Sequence, residues 1–140
     1  MSADPSQPLP YSSVINWASD GAVLSATRSV FPGAVHVVLA GELDLATVPI
    51  AERELRHALR DAANVLLDLR AVTFIDLAGL HMILAADRRA RRVGRQVAVA
   101  HRGARCVQRM FELTHADRSL MLVDDPATAA ASNGAGPHPT

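Results

Sequence analysis

No lysine occurs anywhere in the chain: all fourteen of its basic residues are arginine. Chemistry that depends on a lysine amine, from Schiff bases to a P-loop lysine, is thereby excluded. The single cysteine, Cys106, leaves no internal disulfide and no cysteine-rich zinc site. Aromatic residues amount to only 4%, so alanine, valine and leucine must fill most of a core. No apolar run approaches the roughly 18 residues of a membrane span, and no basic stretch followed by an apolar run opens the chain. No membrane insertion, no secretory signal and a cytoplasmic location are the expectations. Fourteen acidic residues balance the fourteen arginines, and without a basic excess nucleic-acid binding is not expected.

What remains is an ordinary soluble composition, 49% hydrophobic and 20% charged in 140 residues, enough for one domain of typical size. Residues 1–20, with three prolines and little periodicity, read as a flexible or loosely docked arm. Within it Val14, Ile15 and Trp17 are candidates to cover part of a core or a partner. Residues 126–140, rich in Ala, Gly, Pro and Ser, read as a disordered tail. The domain proper is expected over 21–125.

Within that span, 22–27 and 34–40 are short β-rich runs around Phe31-Pro32-Gly33, which predicts an antiparallel hairpin. Ala51, Leu55, Ala58, Leu59 and Ala62 recur at helical spacing, and Pro49 places that helix start near Thr47. Val65–Leu69 is apolar enough to be a buried parallel strand. A second helix is predicted from Leu77 to about Val93, closed by Gly94 and carrying Arg88, Arg89, Arg91 and Arg92 in its last turns. A strand over Gln96–His101, a helix over Ala104–Thr114 with Val107, Met110 and Phe111 inward, and an edge strand at Leu120–Val123 complete the pattern. The order β-β-α-β-α-β-α-β predicts an α/β fold with a mixed, mostly parallel sheet of four to five strands and crossover helices.

The segment Val72-Thr73-Phe74-Ile75-Asp76-Leu77-Ala78-Gly79-Leu80 is the most informative. A strand ends, Asp76 stands at an N-cap position to accept from the amides of Ala78 and Gly79, and small residues open the next helix. Such a cap is structurally sufficient for Asp76 alone. Functionally, small residues at a helix mouth let a partner approach the backbone. Glu42 and Asp44, at the end of the preceding parallel strand, would share that rim with Asp76, beside Leu43, Leu45 and Leu77. His81 is a candidate to line the same corner. The six histidines show no metal-ligand spacing, and nothing pairs them with a nucleophile, so neither a metal, a cofactor nor an enzyme is expected.

Gly41-Glu42-Leu43-Asp44, the strand Val65–Leu69, Phe74-Ile75-Asp76-x-x-Gly79-Leu80 and Phe111-Glu112-Leu113-Thr114 resemble the anti-sigma-factor antagonist group of STAS domains, over residues 20 to 124. The resemblance implies a single STAS-like domain in a bacterial protein that binds an anti-sigma factor, often a serine kinase of the GHKL fold, and frees a sigma factor. Combined with the rim read above, it makes Glu42, Asp44, Asp76, Leu77, Ala78, Gly79 and His81 the expected partner-binding residues. In that family Asp76 is followed by two serines and a glycine, and the second serine is phosphorylated. Here those positions are Leu77 and Ala78, so no phosphorylation site exists at the family position. A constitutive antagonist, a protein switched at Thr73, Thr47 or Cys106, and a soluble accessory subunit of a lipid-transport ATPase remain open, as does a homodimer. A small-molecule sensor ranks last.

Overall fold

A computed structural model describes the chain at residues 12–19 and 22–124, with side chains from residue 23 onward. Six strands form one sheet in sequence order: β1 (Ser12–Ser19), β2 (Ala22–Phe31), β3 (Ala34–Leu43), β4 (Asn64–Ile75), β5 (Gln96–Ala100) and β6 (Met121–Leu122). The first two pairings are antiparallel and the last three parallel. Helices α1 (Val48–Asp61), α2 (Leu77–Arg92) and α3 (Arg105–Thr114) make the crossovers. The α/β class, the mixed sheet and every predicted helix are therefore observed.

The sheet is one strand larger than expected. Residues 12–19, read as part of an arm, pair along their whole length with β2, from Ser12 opposite Ser29 to Ser19 opposite Ala22. Residues 1–11 of that arm, the Trp17 side chain and the 126–140 tail lie outside the described residues.

Local chemistry accounts for the elements. Pro32 and Gly33 form the two-residue link between Phe31 and Ala34, and Gly33 at φ +79° supplies the positive angle that a type II turn needs after proline. On α1 the apolar spacing buries Ala51, Leu55, Ala58 and Leu59. At the end of α2, Gly94 at φ +71° lets Arg95 N donate to Ala90 O (2.8 Å) and Gly94 N to Arg91 O, a Schellman closure. Val35, Val37 and Leu39 of β3 alternate toward the helices, and Leu67 and Val99 continue that row across the sheet. Each fully buried leucine or valine there contributes about 2 kcal/mol. Arg28 of β2 and Glu54 of α1 form a buried ion pair at 3.7 Å, tying the hairpin to the helix layer. Among the described residues, no helix is long and apolar enough to cross a membrane.

Candidate functional site

The parallel pair β3–β4 brings the predicted corner together. Leu43 stands opposite Ile75 and Glu42 opposite Phe74, so the two strand ends and the helices that follow them share one rim. Both helices begin there.

Asp76 holds this rim in place with both carboxylate oxygens. Oδ1 accepts from Gly79 N at 2.9 Å, capping α2. Oδ2 accepts from Leu45 N at 3.0 Å, fixing the β3–α1 loop thirty-one residues away in sequence. The Asp76 backbone amide adds a bond to Leu43 O at 3.2 Å. The expected acceptance from Ala78 is replaced by this second, long-range bond. One side chain thus sets the spacing between two loops.

The loop has its own lock. Asp44 Oδ1 accepts from Ala46 N and Thr47 N, while Thr47 Oγ1 donates to Glu42 O at 2.8 Å and accepts from Asp44 N. Thr47 is fully buried in doing so, which leaves no hydroxyl there for a kinase to reach. Thr73, by contrast, is exposed on β4. Cys106, the other position left open as a switch, is half-buried, with Sγ 3.5 Å from Val72 O.

Close approach explains Gly79. A Cβ there would lie 2.8 Å from Leu43 O and 3.0 Å from both Ile75 Cγ1 and Leu43 Cγ, so only hydrogen fits between α2 and the end of β3. Gly41, at φ +106°, has a still closer neighbour in the Val23 carbonyl oxygen.

The apolar content of the rim differs from expectation. Leu43 is completely buried and belongs to the core. Phe74, which the sequence reading left aside, is 48% exposed and joins Leu77 (57%) and Leu45 (76%). The pairing register slips by one residue just before it, between Gly41 opposite Val72 and Glu42 opposite Phe74, and this irregularity breaks the alternation from which its facing could be read. Ala78 is half-buried beside them. His81, exposed one turn after Leu77, extends the same helix face. Glu42 makes no hydrogen bond through its carboxylate to any described residue, so it is the uncommitted acid of the corner.

A second polar cluster lies on the opposite sheet face. Asp68, nearly buried, receives Arg70 Nε and Nη2, both at 3.0 Å, the Arg70 amide, and His36 Nε2 at 3.2 Å. Burial alone would raise its pKa. The hydrogen bonds from His36 and Arg70, with the guanidinium charge, overcome that and hold the carboxyl well below the usual carboxylate range.

Among solved structures, an anti-sigma factor antagonist from Mycobacterium paratuberculosis is similar at 22% identity, covering 91% of this chain and 99% of that one, with TM-score 0.66. The unphosphorylated anti-sigma factor antagonist SpoIIAA matches at 15% identity, over 89% of this chain and 100% of its own, with TM-score 0.59. A murine solute carrier 26 anion transporter matches at 17% identity and TM-score 0.61, over 92% of this chain but 23% of its own length. No curated protein matches by sequence. The likenesses establish the fold, and residues 26–129 match the STAS domain model, so the chain belongs to the STAS domain family.

Proposed function

We propose that this protein is an anti-sigma-factor antagonist, a non-enzymatic docking module whose contact surface is the α2 corner. One observation carries the reading: Leu45, Phe74 and Leu77 are exposed together beside Glu42 and a half-buried Ala78, on a rim made rigid by Asp76. Large apolar side chains clustered in this way mark interaction sites, and a pre-ordered rim lowers the entropy cost of binding. The similar folds named as anti-sigma factor antagonists support the choice of partner.

The division of labour at the corner is more specific than three equivalent carboxylates. Asp76 is committed to Gly79 and Leu45, and one oxygen of Asp44 to its own loop. Partner contact therefore falls to Glu42 as the charged group, to the three exposed apolar side chains, and to His81 at the margin. Ala78 takes the position where related antagonists carry the phosphorylated serine. The complex then follows from concentrations of the two proteins rather than from a phosphorylation cycle at that residue.

The test is binding to a kinase-fold anti-sigma factor, measured by interferometry together with transfer of labelled phosphate from ATP. Wild type binds at micromolar affinity or tighter and takes up no label. Leu77→Glu and Phe74→Glu each weaken binding by about 1–3 kcal/mol, as loss of a buried interface anchor does. Ala78→Ser becomes a phosphate acceptor. Equal binding by wild type and both glutamate variants would sink the site assignment.

A further inference from the structure

Strands β4 and β5 are of unequal length. β4 runs to Ile75, but its pairing with β5 ends where Asp68 stands opposite Ala100. On its other side β3 follows it to the end, with Gly41 opposite Val72 and Leu43 opposite Ile75. Among the described residues, therefore, no strand pairs with residues 69–75 on the side where β5 stops. A strand edge of this kind presents main-chain donors and acceptors that another chain can use.

The turn after β5 brings the start of α3 alongside this edge, and the two enclose a groove of about 490 Å³. Residues 70–73 form one wall and residues 103–106 the other. The Val72 carbonyl accepts from Cys106 Sγ at 3.5 Å, so it is turned toward α3. A thiol is a weak donor, and a peptide N–H would bind that oxygen more strongly. Arg70 and the exposed Arg105 stand in the two walls, and no aspartate or glutamate lines the groove. Arg70 is paired with Asp68, whereas Arg105 forms no ion pair with a described carboxylate. α3 also opens at Ala104 without a side-chain cap, which leaves the positive end of the helix to an external acceptor. The groove begins at Thr73, immediately beside Phe74 of the docking corner.

We infer that this groove takes an extended, acidic segment of the protein partner by strand addition, continuing the sheet where β5 stops. In this mode main-chain hydrogen bonds to the strand edge supply affinity, and the side chains around the groove supply selectivity. At ~3.3 Å per residue the β4 wall accommodates about four residues of such a segment. Arg105 and the start of α3 meet its carboxylates, while Phe74 and Leu77 meet the partner's apolar surface. With Glu42 at the other side of Phe74, the whole contact has an acidic end and a basic end, which fixes the orientation of the partner. The inference rests on the docking corner as the partner site, because the groove continues it.

Interferometry and hydrogen–deuterium exchange on the full chain with a kinase-fold anti-sigma factor test it. In the complex, amide exchange slows over residues 69–75 and 103–107 as well as at the corner. Arg105→Glu weakens binding at least tenfold, and so does Ala71→Phe, which fills the groove from an exposed position. Arg92→Glu, an equal change of charge at the far end of α2, leaves affinity within twofold of wild type. Circular dichroism verifies that all three variants fold. Groove variants that bind like wild type while Leu77→Glu fails to bind overturn the groove and leave the corner standing. Equal losses in Arg105→Glu and Arg92→Glu also overturn it, since charge would then act from any position. A wild-type chain that forms no complex overturns the functional reading and this inference together.

Discussion

Replacing Gly79 with alanine sets two physical effects of opposite sign against each other. Helix propensity favours alanine over glycine by about 1 kcal/mol, which would stabilise the first turn of α2. The added Cβ, however, would sit 2.8 Å from Leu43 O, a backbone atom of a central strand that cannot swing aside. To open that contact to an ordinary separation, α2 must retreat from the end of β3. Retreat stretches the bond from Asp76 N to Leu43 O and the bond from Leu45 N to Asp76 Oδ2, each about 1 kcal/mol. Overpacking against Ile75 Cγ1 and Leu43 Cγ adds about 2 kcal/mol. The balance is a loss of about 3 kcal/mol, set chiefly by the steric contact. Urea unfolding followed by far-UV circular dichroism reads this as a midpoint lower by about 1.5 M at unchanged slope, for a slope near 2 kcal/mol/M. An unchanged or raised midpoint would refute the reasoning, because propensity would then have outweighed contact.

Further outcomes follow from other parts of the fold. Glu54→Ala removes the carboxylate set against the buried Arg28 guanidinium and lowers stability by about 3 kcal/mol, measured by the same unfolding curves. Asp68 has its folded pKa depressed, so its contribution is fully present above the unfolded value near 4 and is lost as pH falls below it. Stability measured from pH 5 down to 2 therefore falls more steeply in wild type than in Asp68→Asn, and parallel slopes contradict this. Leu77→Ser, at an exposed position, changes the unfolding midpoint by no more than about 0.5 kcal/mol equivalent, while partner affinity drops. A large loss of stability would instead make Leu77 a core residue.

Much of this architecture is legible in the chain because local chemistry and global fold agree. The α1 and α2 boundaries follow from Pro49, Asp76 and Gly94, each of which acts within a few residues of its own position. The hairpin follows from Pro32-Gly33 for the same reason. The order of the parallel strands follows from the crossover helices between them. What is not legible depends on partners distant in sequence. The pairing of residues 12–19 with β2 depends on a register that no local proline or serine pattern announces. The meeting of Asp68 with His36 requires β3 beside β4 and a sequence separation of thirty-two residues. At the corner, Glu42, Asp44, Asp76 and Gly79 do converge as their positions at the strand ends suggest. Their roles separate only once Leu45 N is seen to bind Asp76, Leu43 to turn inward and Phe74 to turn out.

The two bonds that the Asp76 carboxylate accepts pass to either side of residue 78, from Gly79 and from Leu45, and neither uses the side chain or the amide of Ala78. The corner is therefore assembled without any contribution from residue 78, the position that the proposed function equates with the phosphorylated serine. Serine and alanine can exchange there with the rim's geometry conserved. Under the proposed function, Ala78→Ser then adds a phosphate acceptor without rebuilding the surface that meets the partner.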